Sequence, residues 1–328
     1  MITIKELAKE CGVSVSAVSK AMNNKKGISP ENAEMVRKKA RELGYFPNAA
    51  ARTMRTNRSH NIGILFKNDM AHEYFSLVLE AIRNRAAESG YDITFLEAAD
   101  MNYLEHAKNR QCDGVIITAG EFDIEQVRQL IDSDLPVVSI DHAFDGRSCV
   151  YGSNEASLKD IVNYLYGFGH KKIAFLYGET GDITLQRLAG FTKGMRNCGL
   201  ETPTEYIVQT AFRSPKASGQ ATKRLLSLEN RPTCIIYPDD ISALGGLTAA
   251  EEAGLRVPED LSCFGYDGIR LAGMLRPKLT TYHQDAHGIG YAAAEQLIFE
   301  IENPDKFTPK CITISGEIQE GGTICRLN

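Results

Sequence analysis

At 328 residues, with a formal net charge of −5 and 43% hydrophobic residues, the chain is long enough for two or three folding units of roughly 150 residues each. No run approaches the roughly 18 apolar residues of a membrane span, and the charged start Met1-Ile2-Thr3-Ile4-Lys5-Glu6 lacks the apolar centre of a secretion signal, so a cytoplasmic protein with no membrane partner is expected. The charge is segregated: residues 1–60 hold 12 Lys and Arg against 5 Glu, a balance of +7, which leaves 25 basic against 37 acidic residues, or −12, for residues 61–328.

Ile4, Leu7, Ala8 and Cys11 recur with the spacing of a short amphipathic helix, and Gly12 follows where a left-handed cap is wanted. Ser14 can cap a second helix running to about Met22, which gives helix-turn-helix spacing. Placed at about 100° per residue, Ala17, Val18, Ala21 and Met22 share one half of that helix, and Val15, Ser16, Ser19 and Lys20 share the other. The second half suits a DNA major groove: Lys20 for guanine acceptors, Ser16 and Ser19 for bases or phosphates, Val15 for a thymine methyl. An ordinary solvated face has the same composition, so this pattern alone leaves both readings open. A third helix starts at Ser29 and Pro30, buries Ala33, Val36, Ala40 and Leu43, and ends at Gly44, with Arg37, Lys38, Lys39 and Arg41 outside to grip phosphates.

Asn48 can cap a further helix of Ala49 to about Arg55, but seven or eight residues are too few to be stable alone in water. Two copies side by side on DNA would support each other, with Met54 wedged into the minor groove and Arg52 and Arg55 on phosphates. Composition alone favours a plain linker.

Beyond residue 60, apolar runs alternate with helical stretches: 61–66, 91–96, 114–117, 137–140, 173–176, 234–237 and 261–264. Such runs imply parallel sheets covered on both faces, an α/β body whose ligands sit at the carboxyl ends of strands. Asp69, Asp141, Asp239, Asp240 and Asp267 follow these runs. Each alone reads as a helix cap; together with Arg187 they form a candidate polar ring for hydroxyl groups. The eight cysteines (Cys11, Cys112, Cys149, Cys198, Cys234, Cys263, Cys311, Cys325) include no C-x-x-C pair. They read as small buried side chains in a reducing compartment rather than as a zinc or disulfide framework, and no metal or cofactor is expected.

The runs Thr3 to Ala8, Gly12 to Lys20, Leu43 to Ala49 and Ala51 to Arg55 resemble the headpiece and hinge of the lactose-repressor and galactose-repressor family. The resemblance continues through Gly169 to Ala174, Arg187 to Phe191, Asp239-Asp240, Gly254 to Asp260, Gly265 to Asp267 and Pro277 to Thr281. It implies a helix-turn-helix headpiece (1–47), a hinge helix (48–60) and a two-lobed periplasmic-binding-protein-like body (61–328) joined by three crossovers. The first lobe is expected at about 61–158 and 286–302, the second at about 159–285 and 303–328. The resemblance also implies DNA contacts among Thr3, Ser14, Val15, Ser16, Ser19, Lys20, Asn23, Asn48, Ala51, Arg52, Met54 and Arg55. Effector contacts are implied at Asp69, Phe75, Arg187, Asp239 and Asp267, to which the strand-end pattern adds Asp141.

The chain departs from the family in several places. Lys20 stands where Arg is usual, a point charge in place of a planar fork, and Met54 replaces a Leu wedge. Residues 97–110 are about ten residues shorter than usual, Gly268 replaces a common second Asp, and there is no Trp. Tyr74, Phe75, Phe144, Tyr177 or Tyr266 would then supply the platform on which a sugar stacks. His170 reads as a turn or packing residue. The expected protein is a homodimeric regulator, most simply a repressor, of double-stranded operator DNA under the control of a sugar or sugar phosphate. The alternative is the same regulator responding to a non-sugar metabolite or a protein co-regulator, which nothing in the residues excludes. An enzyme is disfavoured because 178–182 lacks the phosphate-loop ending, and a sugar transport protein because of the basic head.

Overall fold

The computed structural model describes residues 2–22, 26–45, 58–66, 72–96, 102–119 and 124–327. It divides into two compact units, Met1–Ser59 and His60–Asn328. In the first unit, Thr3 and Glu6 cap α1 (Ile4–Cys11) reciprocally: Glu6 N donates to Thr3 Oγ1 at 3.3 Å and Thr3 N to Glu6 Oε2 at 2.7 Å. Gly12 ends the helix at φ 63°, a left-handed conformation that a side chain would strain. Ser14 Oγ accepts from Ala17 N at 3.1 Å to start α2 (Val15–Met22). Ser29 and Pro30 open α3 (Pro30–Glu42) as expected. Leu7, Ala8, Val18, Ala21, Ala33, Val36, Ala40 and Tyr45 form the small core, and Arg37 Nε ties α3 to the Ala21 carbonyl at 3.1 Å.

The second unit holds two six-stranded sheets. The first contains β1 (Asn61–Phe66), β2 (Asp92–Leu96), β3 (Gly114–Ala119), β4 (Val137–Ile140), β5 (Ser148–Gly152) and a late strand, Cys311–Ile314, in the order 311–314, β5, β4, β3, β1, β2. All its pairings are parallel. Helix α4 (Glu73–Glu88) and the long helix Ala286–Glu302 cover one face. Val127, Leu130 and Tyr103, from the helices Glu125–Ile131 and Tyr103–Asn109, cover the other. The second sheet runs Glu317–Gln319, Thr280–His283, Ser262–Asp267, Cys234–Ile236, Ile173–Tyr177, Ile207–Gln209, parallel except for the antiparallel Glu317–Gln319 edge. The β4 and Cys234–Ile236 strands are buried along their whole length, which is why they read as apolar runs; β5 is equally buried, but its sequence Ser-Cys-Val-Tyr-Gly did not announce it.

The chain passes between the sheets three times, at 152–154, 283–286 and 314–317. The lobe boundaries differ from the sequence expectation in two places. Helix Asn154–Gly167 already packs in the second-lobe core through Leu158, Ile161, Val162 and Leu165, so the first crossover precedes residue 158. Residues 311–314, expected in the second lobe, form an edge strand of the first sheet, in register with Cys149 to Gly152. That strand alternates between exposed and partly buried residues, so no apolar run announced it.

The same pairing corrects the cysteine expectation. Cys149 and Cys311 lie directly opposite one another, with Cα atoms 4.9 Å apart, and are joined as a disulfide across 162 residues of sequence. The other six cysteines are free thiols, of which Cys112, Cys234 and Cys263 are buried. His170 is the packing residue expected of it: fully buried, it hydrogen-bonds Thr233 Oγ1 at 2.9 Å and the Cys325 carbonyl at 3.1 Å. Among the described residues no helix is long and apolar enough to cross a membrane.

Candidate functional site

The first candidate surface is the outer half of α2. Val18 and Ala21 are fully buried, which turns Val15 (42% exposed) and Ser16 outward, with Ser19 and Lys20 partly exposed beside them. Lys20 Nζ meets the Gly27 carbonyl at 3.4 Å, a long contact near the surface that a guanine acceptor can replace. Thr3 and Ser14 are occupied as helix caps. The outer face of α3 is less basic than its composition suggested, because Arg37 and Arg41 pair with Glu34 and Lys39 with Glu42. Asn23, Asn48, Ala51, Arg52, Met54, Arg55 and Asp69 lie outside the described residues.

The second candidate lies between the lobes of the body, at the carboxyl ends of the strands. Asp141 ends β4 in a left-handed conformation, φ 62°, and accepts from Tyr74 Oη at 3.4 Å. Burial pushes its carboxyl up to about 6, against the pull of Arg187. Asp267 also has a positive φ, 97°. Its Oδ1 accepts from Gln284 Nε2 at 2.7 Å, and burial first, then Asp239, raises its pKa. Arg187, 6% exposed, donates to Asn154 Oδ1 at 2.9 Å and to the Pro238 carbonyl at 3.0 Å, and lies 3.6 Å above the Tyr266 ring. The charge sandwiched on that ring helps hold both groups in a water-poor site.

Phe75 faces the same cleft, in contact with Phe66, His72 and Tyr74, and Arg213 of the second lobe reaches over its ring at 5.4 Å. Of the expected aromatic platforms, Tyr74, Phe75 and Tyr266 belong to this cluster. Tyr177 packs against the second-lobe core and Phe144 beside His142. Asp239 and Asp240, by contrast, are used internally. Asp239 caps helix Asp240–Glu252 through Ser242 N at 2.7 Å and also accepts from Arg213 N at 2.7 Å. With those bonds Asp239 positions the Arg213 turn. Asp240 accepts from Thr281 Oγ1 at 2.6 Å and from Ile269 N at 2.9 Å, which fixes the turn after Asp267.

Contacts between the lobes surround the cluster. Arg270 Nε meets Glu73 Oε1 at 3.1 Å, His142 Nδ1 meets Asp182 Oδ2 at 3.0 Å, and Tyr151 Oη donates to the same oxygen at 3.2 Å. Open cavities of about 370 and 480 Å3 lie elsewhere, one along 215–252 and one around Tyr151, Asn154 and Lys193. Neither gathers buried ionisable groups from both lobes, and the cleft does, so the chemistry points to the cleft. The sequence reading missed His72, Asn154, Phe212 and Arg213, which meet Asp267, Arg187 and Phe75 only in the folded body. Phe212 lies 5.9 Å from the Arg187 guanidinium.

Both parts of this architecture match known proteins. The family description "Bacterial regulatory proteins, lacI family" matches residues 3–48, and a periplasmic binding protein-like domain matches residues 162–324. The chain is 32% identical over 322 residues to the HTH-type transcriptional repressor PurR of Escherichia coli O139:H28, covering 92% of this chain and 91% of that one. It belongs to the lacI family. This family member is therefore a DNA-binding transcriptional repressor and not an enzyme. The PurR repressor of Klebsiella pneumoniae is 31% identical over 323 residues, with the same coverage. Among solved structures, the lac repressor dimer bound to operator and the anti-inducer ONPF superimposes with a TM-score of 0.78 at 24% identity, covering 99% of both chains. The CelR–cellobiose complex gives 0.73 at 20% identity, covering 98% of the repressor and 100% of that chain. At these identities the two structures establish the fold of the repressor alone.

Proposed function

We propose that the repressor binds a two-fold symmetric operator as a cytoplasmic homodimer, and that a small hydroxylated effector in the lobe cleft sets its affinity for DNA. Val15, Ser16, Ser19 and Lys20 read the major groove. Asn48, Ala51, Arg52, Met54 and Arg55 act from the hinge, and Thr3, Ser14 and Asn23 meet the backbone. The observation that carries the effector half is the convergence of Asp141, Arg187, Asp267, Tyr74 and Phe75 from both lobes. Two of these are carboxyls that burial holds above the usual carboxylate range. Groups buried at such a cost are characteristic of binding sites. A carbohydrate fits this set of acceptors, one cation and aromatic faces, and two neighbours of the same fold are a CelR–cellobiose complex and an Enterococcus faecium regulator with bound ribose.

The test is operator affinity, measured by fluorescence anisotropy at fixed salt with and without neutral sugars and their phosphates. An effector of this site changes the Kd by roughly 5- to 150-fold, and Arg187→Ala abolishes the change while leaving ligand-free DNA binding intact. An equal response from Arg187→Ala would place control outside the cleft, at a protein co-regulator for example.

A further inference from the structure

His72 stands at the N-cap position of α4, where a Ser, Thr, Asp or Asn would bond the first turn, yet its side chain caps nothing. It is 8% exposed, and neither ring nitrogen has a hydrogen-bond partner among the described residues. Buried polar atoms are nearly always bonded, so an imidazole left with two open nitrogens marks a place where a partner belongs. Its Nε2 lies 3.8 Å from Asp267 Oδ2 across the cleft, too far for a hydrogen bond between them. Asp267 Oδ1 is already taken by Gln284, so Oδ2 is the oxygen that faces His72. The ring is held in place by Phe75, 5.6 Å away. Thr118 Oγ1, at the carboxyl end of β3, is also buried and without a hydrogen-bond partner among the described residues.

Two polar atoms at that separation match the two sides of one hydroxyl group. An alcohol oxygen about 2.8 Å from each donates its proton to the carboxylate and accepts from the imidazole N–H. A carboxylate has no proton to give Asp267, and either a carboxylate or a phosphate would bring its charge beside Asp141, Asp267 and the nearby Asp239. The buried cation of the cleft, Arg187, already offsets Asp141 and Asp267. Resting on the cleft as the effector site, we propose that His72 and Asp267 form a clamp for one hydroxyl of an uncharged, polyhydroxylated effector. The first lobe supplies the donor and the second the acceptor. Because each lobe holds one side of the same group, the ligand favours the arrangement in which the lobes are together.

The test uses the full-length protein and five probes: D-ribose, D-glucose, cellobiose, ribose 5-phosphate and glucose 6-phosphate. Binding is followed by calorimetry and thermal shift. The expected result is that at least one neutral sugar binds wild type more tightly than any phosphate ester does. His72→Ala then weakens that sugar at least 10-fold, and His72→Gln, whose amide both donates and accepts, recovers part of the loss. Among mono-deoxy analogues of the same sugar, one binds wild type at least 10-fold more weakly but binds His72→Ala no more weakly than its parent sugar. Unchanged circular dichroism and an unchanged ligand-free melting transition of the headpiece confirm that the variants fold. The clamp is overturned if His72→Ala binds the sugar as wild type does, if a phosphate ester is preferred, or if no neutral sugar binds. A sugar that depends on His72 but leaves operator affinity unchanged would defeat the proposed function while the clamp stands. A sugar that shifts operator affinity equally in both proteins would do the reverse.

Discussion

Replacing Asp141 with Asn removes a charge that the ligand-free cleft holds at a cost. The carboxyl rises from 3.8 to about 6 on folding, chiefly through burial. At about 1.36 kcal/mol per unit, an ionised Asp141 costs about 3 kcal/mol, reduced to about 2 kcal/mol because the side chain is partly open to solvent. The folded state binds the extra proton, so the cost is absent below pH 3.8, grows as pH rises through about 6 and is complete above it. Asn keeps an oxygen to accept from Tyr74 Oη and carries no charge. Asp141→Asn should therefore raise the melting temperature of the body at pH 8 by roughly 4–8 °C, with the gain shrinking toward zero near pH 4. Differential scanning calorimetry across that range measures it, following the body transition alone. A gain independent of pH, or a loss at pH 8, would show that the carboxylate is not held at a cost and would remove the main support for the cleft as the effector site.

Leu7 is fully buried in the headpiece core, so Leu7→Ala should cost about 2–5 kcal/mol, abolish operator binding and leave the body's melting transition where it was. Loss of both Lys20 and Met54 to Ala should leave non-specific, salt-sensitive DNA binding but erase discrimination between operator and random duplex, read by competition anisotropy. Burial lowers the pKa of His170 from 6.5. The folded state then binds fewer protons, so stability falls as pH drops below the ordinary histidine range. His170→Asn should remove that part of the acid dependence, visible as a flatter curve of melting temperature between pH 7.5 and 5.

The headpiece was legible almost residue by residue, because its signals are local; the exception is Leu43, expected in the core but left exposed at the C-cap of α3. A capping box at Thr3, a left-handed Gly12 and a Pro at the start of α3 act within one turn of where they are written, and the burial of Val18 and Ala21 follows from helical period alone. The central strands were legible because burial on both faces leaves an unbroken apolar run. What escaped depends on pairing between distant segments. The 311–314 edge strand is recognisable only from its register with β5, and with it the Cys149–Cys311 bond. In the cleft, an Asp after a strand predicted a ligand contact equally well at positions 141, 239 and 267. Only the neighbours separate them: Asp239 finds Ser242 and Arg213, while Asp267 finds His72. His72 carried no sequence signal, since its significance is the bond it lacks.

The contacts around the cleft are too weak to fix the lobes by themselves. In the Glu73–Arg270 pair, Arg270 is 82% exposed, and exposed ion pairs contribute about 0–1 kcal/mol. The His142–Asp182 pair is itself partly open to solvent, with side chains 22% and 36% exposed. Against them stands the cost of gathering Asp141, Asp267 and an unbonded His72 between the lobes. These contacts and that cost oppose one another, which weakens any preference for the arrangement with the lobes together. That balance suits a switch: a ligand shifts an equilibrium only by its difference in affinity between the two states, and about 1–3 kcal/mol of coupling is decisive only where the starting bias is comparably small. Asp141→Asn, which lowers the cost of bringing the lobes together, should for that reason also shift ligand-free operator affinity in the same direction as the effector does.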